Sequence, residues 1–273
     1  MSEAVGWYAY GIVPARAELA LDSLVGVDPQ FGVEVVVLGN VAAVVSRVRL
    51  AEFGAAALER NLEDRAWLER AARAHDAVVT HALGSGAVVP LRLCSIFSSR
   101  DRLLSMLRQE EARLLEELRR VENRAEWAVK ILADPAAVEA AVGAGTAAEG
   151  GDATSAGEPD PSSGRAYLAR KRHQRSAQEE AQALIDAAVG EAHERLRRHA
   201  CATAVLRPQN AELSGRRGRM VHNGAYLVDA AHAEEFASVA GELAGIQRSR
   251  GLQMELSGPW APYNFVTTGR AES

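Results

Sequence analysis

Histidine and cysteine are the side chains here that do chemistry near neutral pH, and their spacing limits what they can do. His75 lies beside Asp76 on the apolar face of a helical pattern, the makings of a general base. A buried histidine satisfied by hydrogen bonds is the plainer reading of the same position. Cys94 would act as a nucleophile only with a base beside it, and nothing local supplies one. His75 and His81 are six residues apart, as are His193 and His199. On a helix six residues turn through about 600°, so neither pair can share a metal. Asp152, Glu158 and Asp160 lack the ligand spacing and closing glutamate of a calcium loop. An enzyme using His75 and Cys94 needs both in one cleft; a non-catalytic protein leaves them packed apart.

Other signatures are missing. Neither lysine, Lys130 or Lys171, follows a glycine, so there is no P-loop, and the GSG at 84–86 is not continued into a dinucleotide fingerprint. No GxSxG, CxxC or HExxH occurs. Two basic clusters, RKRHQR at 170–175 and GRRGR at 215–219, read as solvated or internally paired charge. The first opposes its helix dipole and hints at an acidic neighbour. The closing GPWAPYNFV at 258–266 places Trp260 and Tyr263 on a backbone restricted by Pro259 and Pro262. It reads as a rigid lock on the core or domain interface, with an exposed partner patch as the alternative.

These groups must be positioned by two domains. In the first, residues 6–13 read as a strand ending at Pro14, and Gly39-Asn40 between two valine-rich runs signals a tight hairpin. A helical pattern covers 51–83, AVVPLRLCSIF is a strand, and Ser98 with Asp101 opens a helix striped by Leu104, Leu107, Leu114, Leu115 and Leu118. The expectation is an N-terminal α+β domain, 1–121, with a mostly antiparallel sheet. In the second, 122–273, the order is strand, helix, strand, strand, helix, strand: the ferredoxin-like βαββαβ arrangement. Its first helix ends near Val142. Residues 143–164, rich in Gly, Ala, Pro and acids, are expected as a disordered insert inside that domain. An RNA-binding sheet of this type would show stacking aromatics on its central strands; Tyr226 alone is found there.

Composition agrees with a water-soluble globular chain: of 273 residues, 48% are hydrophobic and 25% charged. A formal net charge of -5 argues against a nucleic-acid partner. Cys94 and Cys201 read as buried thiols in a reducing compartment. The longest near-apolar run, Val33 to Val45, is broken by Glu34 and Asn40 and falls short of the ~18 residues of a spanning helix. The opening MSEAVGWYAYGIV lacks the basic start of a secretory signal. A cytoplasmic or peripheral protein is expected, without membrane insertion.

YAYGIV, HDAVVTHALGSGAVVPLRL, AEWAVKI, AYLARKR, NGAYLVD and the terminal GPWAPYNFV together resemble the gas vesicle protein F/L family. Departures are Leu93, Cys94 and Ser95 where the family usually has Phe-Gly-Thr, and Ala261 and Asn264 where Pro and Ser are commoner. The resemblance implies a non-enzymatic accessory protein of gas vesicle formation, located in the cytoplasm and at the gas vesicle. It would bind the hydrophobic shell protein and other gas vesicle accessory proteins, and it implies no catalytic residue, cofactor or metal. F-like and L-like roles are not separated by it. The candidate partner-binding residues are Arg92, Trp260 and Tyr263; a sheet edge of the first domain, helped by the surface around Arg92, could cover the shell protein by strand addition or hydrophobic contact. The competing reading is a ferredoxin-like small-molecule or regulatory binding module.

Overall fold

The computed structural model describes residues 4–149, 164–208 and 218–267. The chain forms two compact units: one takes residues up to Glu126 together with those from Pro259 onward, the other takes Trp127–Gly258. The expected division at 121/122 puts the terminal segment in the second domain; the structure groups it with the first. The cause is burial, because Ala261 sits at 3% exposure inside the first unit's core.

In the first unit, β1 (Val5–Pro14), β2 (Val33–Leu38) and β3 (Val41–Arg49) are followed by α1 (Leu50–Phe53), α2 (Ala55–Asn61) and α3 (Arg65–Leu83). Then come β4 (Val89–Pro90), β5 (Ile96–Phe97) and α4 (Arg100–Val121). The sheet order is β2-β3-β1-β4, with β5 also on β1, and every pairing is antiparallel. Alternation along the strands sends Tyr8, Tyr10, Val33, Val44 and Val48 into one core with Phe53, Trp67 and Val78. Ala9, Ile12, Val36, Ala43 and Val45 face a second core with Leu103, Leu107, Leu114 and Leu118 of α4. Helices therefore cover both faces of the sheet over β1 and β3, which explains the near-continuous apolar run of β3, while Val35 and Val37 of β2 stay exposed.

Three sequence expectations change in detail. The single helix over 51–83 is three, because Gly54 interrupts it and the Asp64 carboxylate caps α3 by accepting the Ala66 and Trp67 N–H groups. The N-cap of α4 is Ser99, whose hydroxyl accepts the Arg102 N–H, one residue after the expected start. AVVPLRLCSIF is two strands of two residues each, separated by a turn at 91–95. The hairpin at Gly39-Asn40 is present: Gly39 has φ +56°, the pattern of a type II′ turn, and Leu38 pairs with Val41 across it.

The second unit contains β6 (Arg124–Ala133), α5 (Pro135–Glu149), α6 (Gly164–Arg197), β7 (Ala202–Val205), β8 (Arg219–Asp229), α7 (Ala233–Ser249) and β9 (Leu252–Trp260). Its sheet runs β7-β8-β6-β9. Val129, Ile131, Tyr226 and Val228 pack against Ile185, Ala188, Ala192 and Leu196 of α6 and against Phe236 and Leu243 of α7. Buried Gln247 ties the two helices by donating to the Ala188 carbonyl. The helix expected to stop near Val142 continues to Glu149, as its alanines favour. Of the expected insert, residues 150–163 lie outside the described residues, and so do Asp152, Glu158, Asp160 and 215–217 of GRRGR. Trp127 joins Tyr226 on the central strands; both rings pack on Phe236, the helix-covered side.

Candidate functional site

Two features of the first unit bear on function: a polar network at one side of the sheet and an uncovered strand at the other. The network begins on β1, where Tyr8 and Tyr10 point to the α3 face and are fully buried. The Tyr8 hydroxyl accepts the Cys94 N–H at 3.0 Å and lies 2.9 Å from His75 Nδ1. His75 Nε2 lies 3.1 Å from the Tyr263 hydroxyl. A neutral imidazole has one N–H to donate and one nitrogen to accept, so two hydroxyls satisfy it in either tautomer. Burial holds the His75 pKa down at about 4, so the ring is neutral near pH 7. Burial also raises the Tyr8 and Tyr263 hydroxyls and the Cys94 thiol. The thiol packs on the core and stays protonated, so no base activates it.

His75 and Tyr263 line a shallow cleft of about 340 Å³ with Ala72, Asp76 and Leu93. Cys94 does not line it; only its backbone N–H reaches the network, through Tyr8. Among the described residues, no three His, Cys, Asp or Glu side chains form a metal-sized group, and no described helix is long and apolar enough to cross a membrane.

The terminal segment is fixed at several points. Besides the Tyr263 contact, Asn264 donates its N–H and Nδ2–H to the Glu126 carboxylate at 2.9 and 2.6 Å. Glu117 accepts the Thr267 N–H at 3.2 Å, and Arg120 and Arg113 donate to the Phe265 and Thr267 carbonyls. Glu126 is 5% exposed; burial raises its pKa, and the Asn264 bonds offset part of that rise. Ala261 belongs to the core on the α3 face and Val266 packs against the core on the α4 face. The segment thus passes from one helical layer to the other beside Leu93.

Of the three residues expected from sequence, Tyr263 is in this network with 38% of its surface still exposed, and Trp260 is 40% exposed at the end of β9. Arg92 is exposed in the turn between β4 and β5, where its carbonyl is taken by the Ser95 N–H and hydroxyl. Arg92 and, beside Leu93, Tyr263 therefore lie toward the β4–β5 side, whereas β2 ends the sheet on its other side. On β2, which among the described residues pairs only with β3, Val35 is 36% and Val37 53% exposed, and Glu34 is the sole charge. The sequence signal for this strip was the unalternated VEVVVL run; what hid it was that a buried strand gives the same pattern.

The family model described as gas vesicle synthesis protein GvpL/GvpF matches residues 6–267. The chain belongs to the GvpL/GvpF family. Gas vesicle protein L of Streptomyces sp. (strain CB03234) is 38% identical to it over 228 residues, 84% of this chain and 80% of that one. Gas vesicle protein F of the same strain is 31% identical over 132 residues, 48% of this chain and half of that protein's length. Crystal structures of GvpF from Anabaena sp. PCC7120 and Microcystis aeruginosa share the fold at 17% identity. Their TM-scores are 0.66 and 0.65, over 98% and 96% of this chain and 99% of each of theirs.

Membership in the GvpL/GvpF family places the chain in gas vesicle formation. It also gives one local departure a physical meaning. Cys94, standing where the family resemblance has glycine, has φ +63°, a left-handed conformation that costs a residue with a Cβ about 1–2 kcal/mol. The Tyr8 hydroxyl bonded to its N–H and the two Ser95 bonds to the Arg92 carbonyl hold that turn in place.

Proposed function

We propose that this GvpL/GvpF chain is a non-enzymatic assembly factor that takes an exposed strand of the hydrophobic gas vesicle shell protein onto the β2 edge. The observation that carries this reading is that edge itself: six residues paired on one side only, apolar at Val35 and Val37, with no proline or lysine to blunt it. Strand addition would satisfy backbone groups of both partners, while the two valines contact alternate side chains of the incoming strand. The opposite edge is unsuited to the same use. Its strand is interrupted at 91–95 and carries Pro90, which has no N–H to donate. Arg92, Trp260 and Tyr263 are proposed as contacts for other gas vesicle accessory proteins. The working place of such a factor is the cytoplasm and the growing vesicle.

Co-expression with the shell protein, followed by size-exclusion chromatography with light scattering, tests this. A soluble complex of defined mass is expected, and Val37→Lys should lower its yield by roughly tenfold, the effect of replacing an apolar edge contact by a charge. A shell protein that precipitates while this chain elutes alone rejects the reading.

A further inference from the structure

The exposed edge raises a question of its own: what covers it while no shell strand is available. A flat valine-rich edge left open is an aggregation site, and a cover that is always at hand is the same strand of another copy. We propose that β2 pairs antiparallel with β2 of a second copy of this chain, around a two-fold axis at Val36, and that a shell strand displaces that copy. The displacement clause rests on the function proposed above; the self-pairing does not.

The register follows from the side chains. A two-fold axis normal to the sheet keeps each face on its own side, so residues of like face must lie opposite each other. An axis at Glu34 sets two carboxylates against one another, which is unfavourable. An axis at Val35 sets Val37 against Val33, which is already 9% exposed and has little surface left to cover. That register also runs into the start of the strand, where Val25 bridges Gly32. An axis at Val36 sets Val35 of each copy against Val37 of the other, covering the two most exposed apolar side chains of the strand twice over. Glu34 then lies opposite Leu38, which is half-buried, and away from the other Glu34.

The hairpin that ends this edge is tied to α4. The Glu111 carboxylate on α4 accepts the Asn40 N–H at 3.0 Å, anchoring the turn that joins β2 to β3. Pairing of about five residues buries far less than the ~1,200 Å² of a stable interface. The association is accordingly weak and reversible, as a cover that must yield to another strand requires.

Sedimentation velocity of the full-length chain, from low-micromolar to several hundred micromolar, tests the proposal. A monomer–dimer equilibrium is expected. Val37→Lys should weaken it by roughly tenfold or more, because symmetry changes both Val35–Val37 pairs at once. Val37→Thr, which keeps β-propensity, should weaken it less, with thermal melting confirming that both variants fold. A wild-type chain that is monomeric throughout overturns self-pairing, as does a dimer that neither variant weakens. Adding the shell protein separates the two ideas. A monomeric chain that still binds shell protein in a Val37-dependent way leaves the proposed function standing and rejects self-pairing. A Val37-dependent dimer that never binds shell protein does the reverse.

Discussion

Acidification should unfold the first unit through His75, and the size of the effect can be worked from its surroundings. In the unfolded chain this ring titrates near 6.5; in the fold burial lowers it to about 4. Between these values the unfolded state binds the proton and the folded state does not, so stability rises with pH across the window and is lost on going down through it. The difference is worth about 3 kcal/mol, lost progressively between pH 6.5 and 4. Protonation also turns both ring nitrogens into donors, and the Tyr8 oxygen, already accepting from Cys94, must then accept from His75 as well. Tyr8 and Tyr10 from β1, Tyr263 from the terminal segment and Asp76 on α3 surround the ring or its immediate partners. None replaces the water it has lost. Glu126 works in the opposite sense: its raised pKa favours the protonated fold, and its contribution fades as pH rises through that value. Urea denaturation at closely spaced pH values, for wild type and His75→Gln, isolates the histidine, because Glu126 is common to both. The replacement amide keeps a donor and an acceptor without a titrating proton, so the variant's stability should fall by about 3 kcal/mol less than wild type over this window. Equal pH dependence in the two proteins, or a His75 ring proton titrating near 6.5 by NMR, would refute the reasoning.

Two further outcomes follow from charges in the same unit. Asp28, fully buried, accepts the Arg49 Nε–H at 2.9 Å and the Arg49 N–H at 3.1 Å; burial raises its carboxyl and these bonds more than offset the rise, holding it below the ordinary range. Asp28→Asn should cost about 2–3 kcal/mol in urea denaturation, under the ~3–5 of a wholly buried pair, since the Arg49 side chain is 24% exposed and still reaches water. Asn264→Leu deprives Glu126 of one of its two donors and should cost about 1–3 kcal/mol, with the Glu126 pKa rising further in a carboxyl NMR titration.

Much of the architecture was legible because local signals agreed with the tertiary result. The Gly39-Asn40 turn, the leucine stripe of α4 and the apolar face of α3 needed only periodicity and turn chemistry. What could not be read was set by partners distant in sequence. Tyr8 and Tyr263 are met by His75 across 67 and 188 residues, and nothing around His75 announces either. The Asp28–Arg49 pair joins residues 21 apart that no local pattern links. AVVPLRLCSIF looked continuous because its residues suit a strand; the break at 91–95 carries a positive φ at Cys94 and is held by the Tyr8 hydroxyl, from far away in sequence, and by Ser95 bonding the Arg92 carbonyl. For the interaction surface the sequence pointed to a sheet edge near Arg92; the proposal of β2 rests instead on the strand order and on the exposure of Val35 and Val37.

The return of the terminal segment to the first unit has a consequence for synthesis. The residues that complete that unit, Ala261, Tyr263 and Asn264, are made after the whole of the second unit has been synthesised. Until then Glu126 is without its Asn264 donors and His75 without one of its hydroxyls. The second unit is free to fold while the first waits. A chain cut short before residue 261 therefore lacks these contacts and should open more readily to proteases than one that contains them. Synthesis of residues 261–267 is thus the step that supplies the first unit with these contacts.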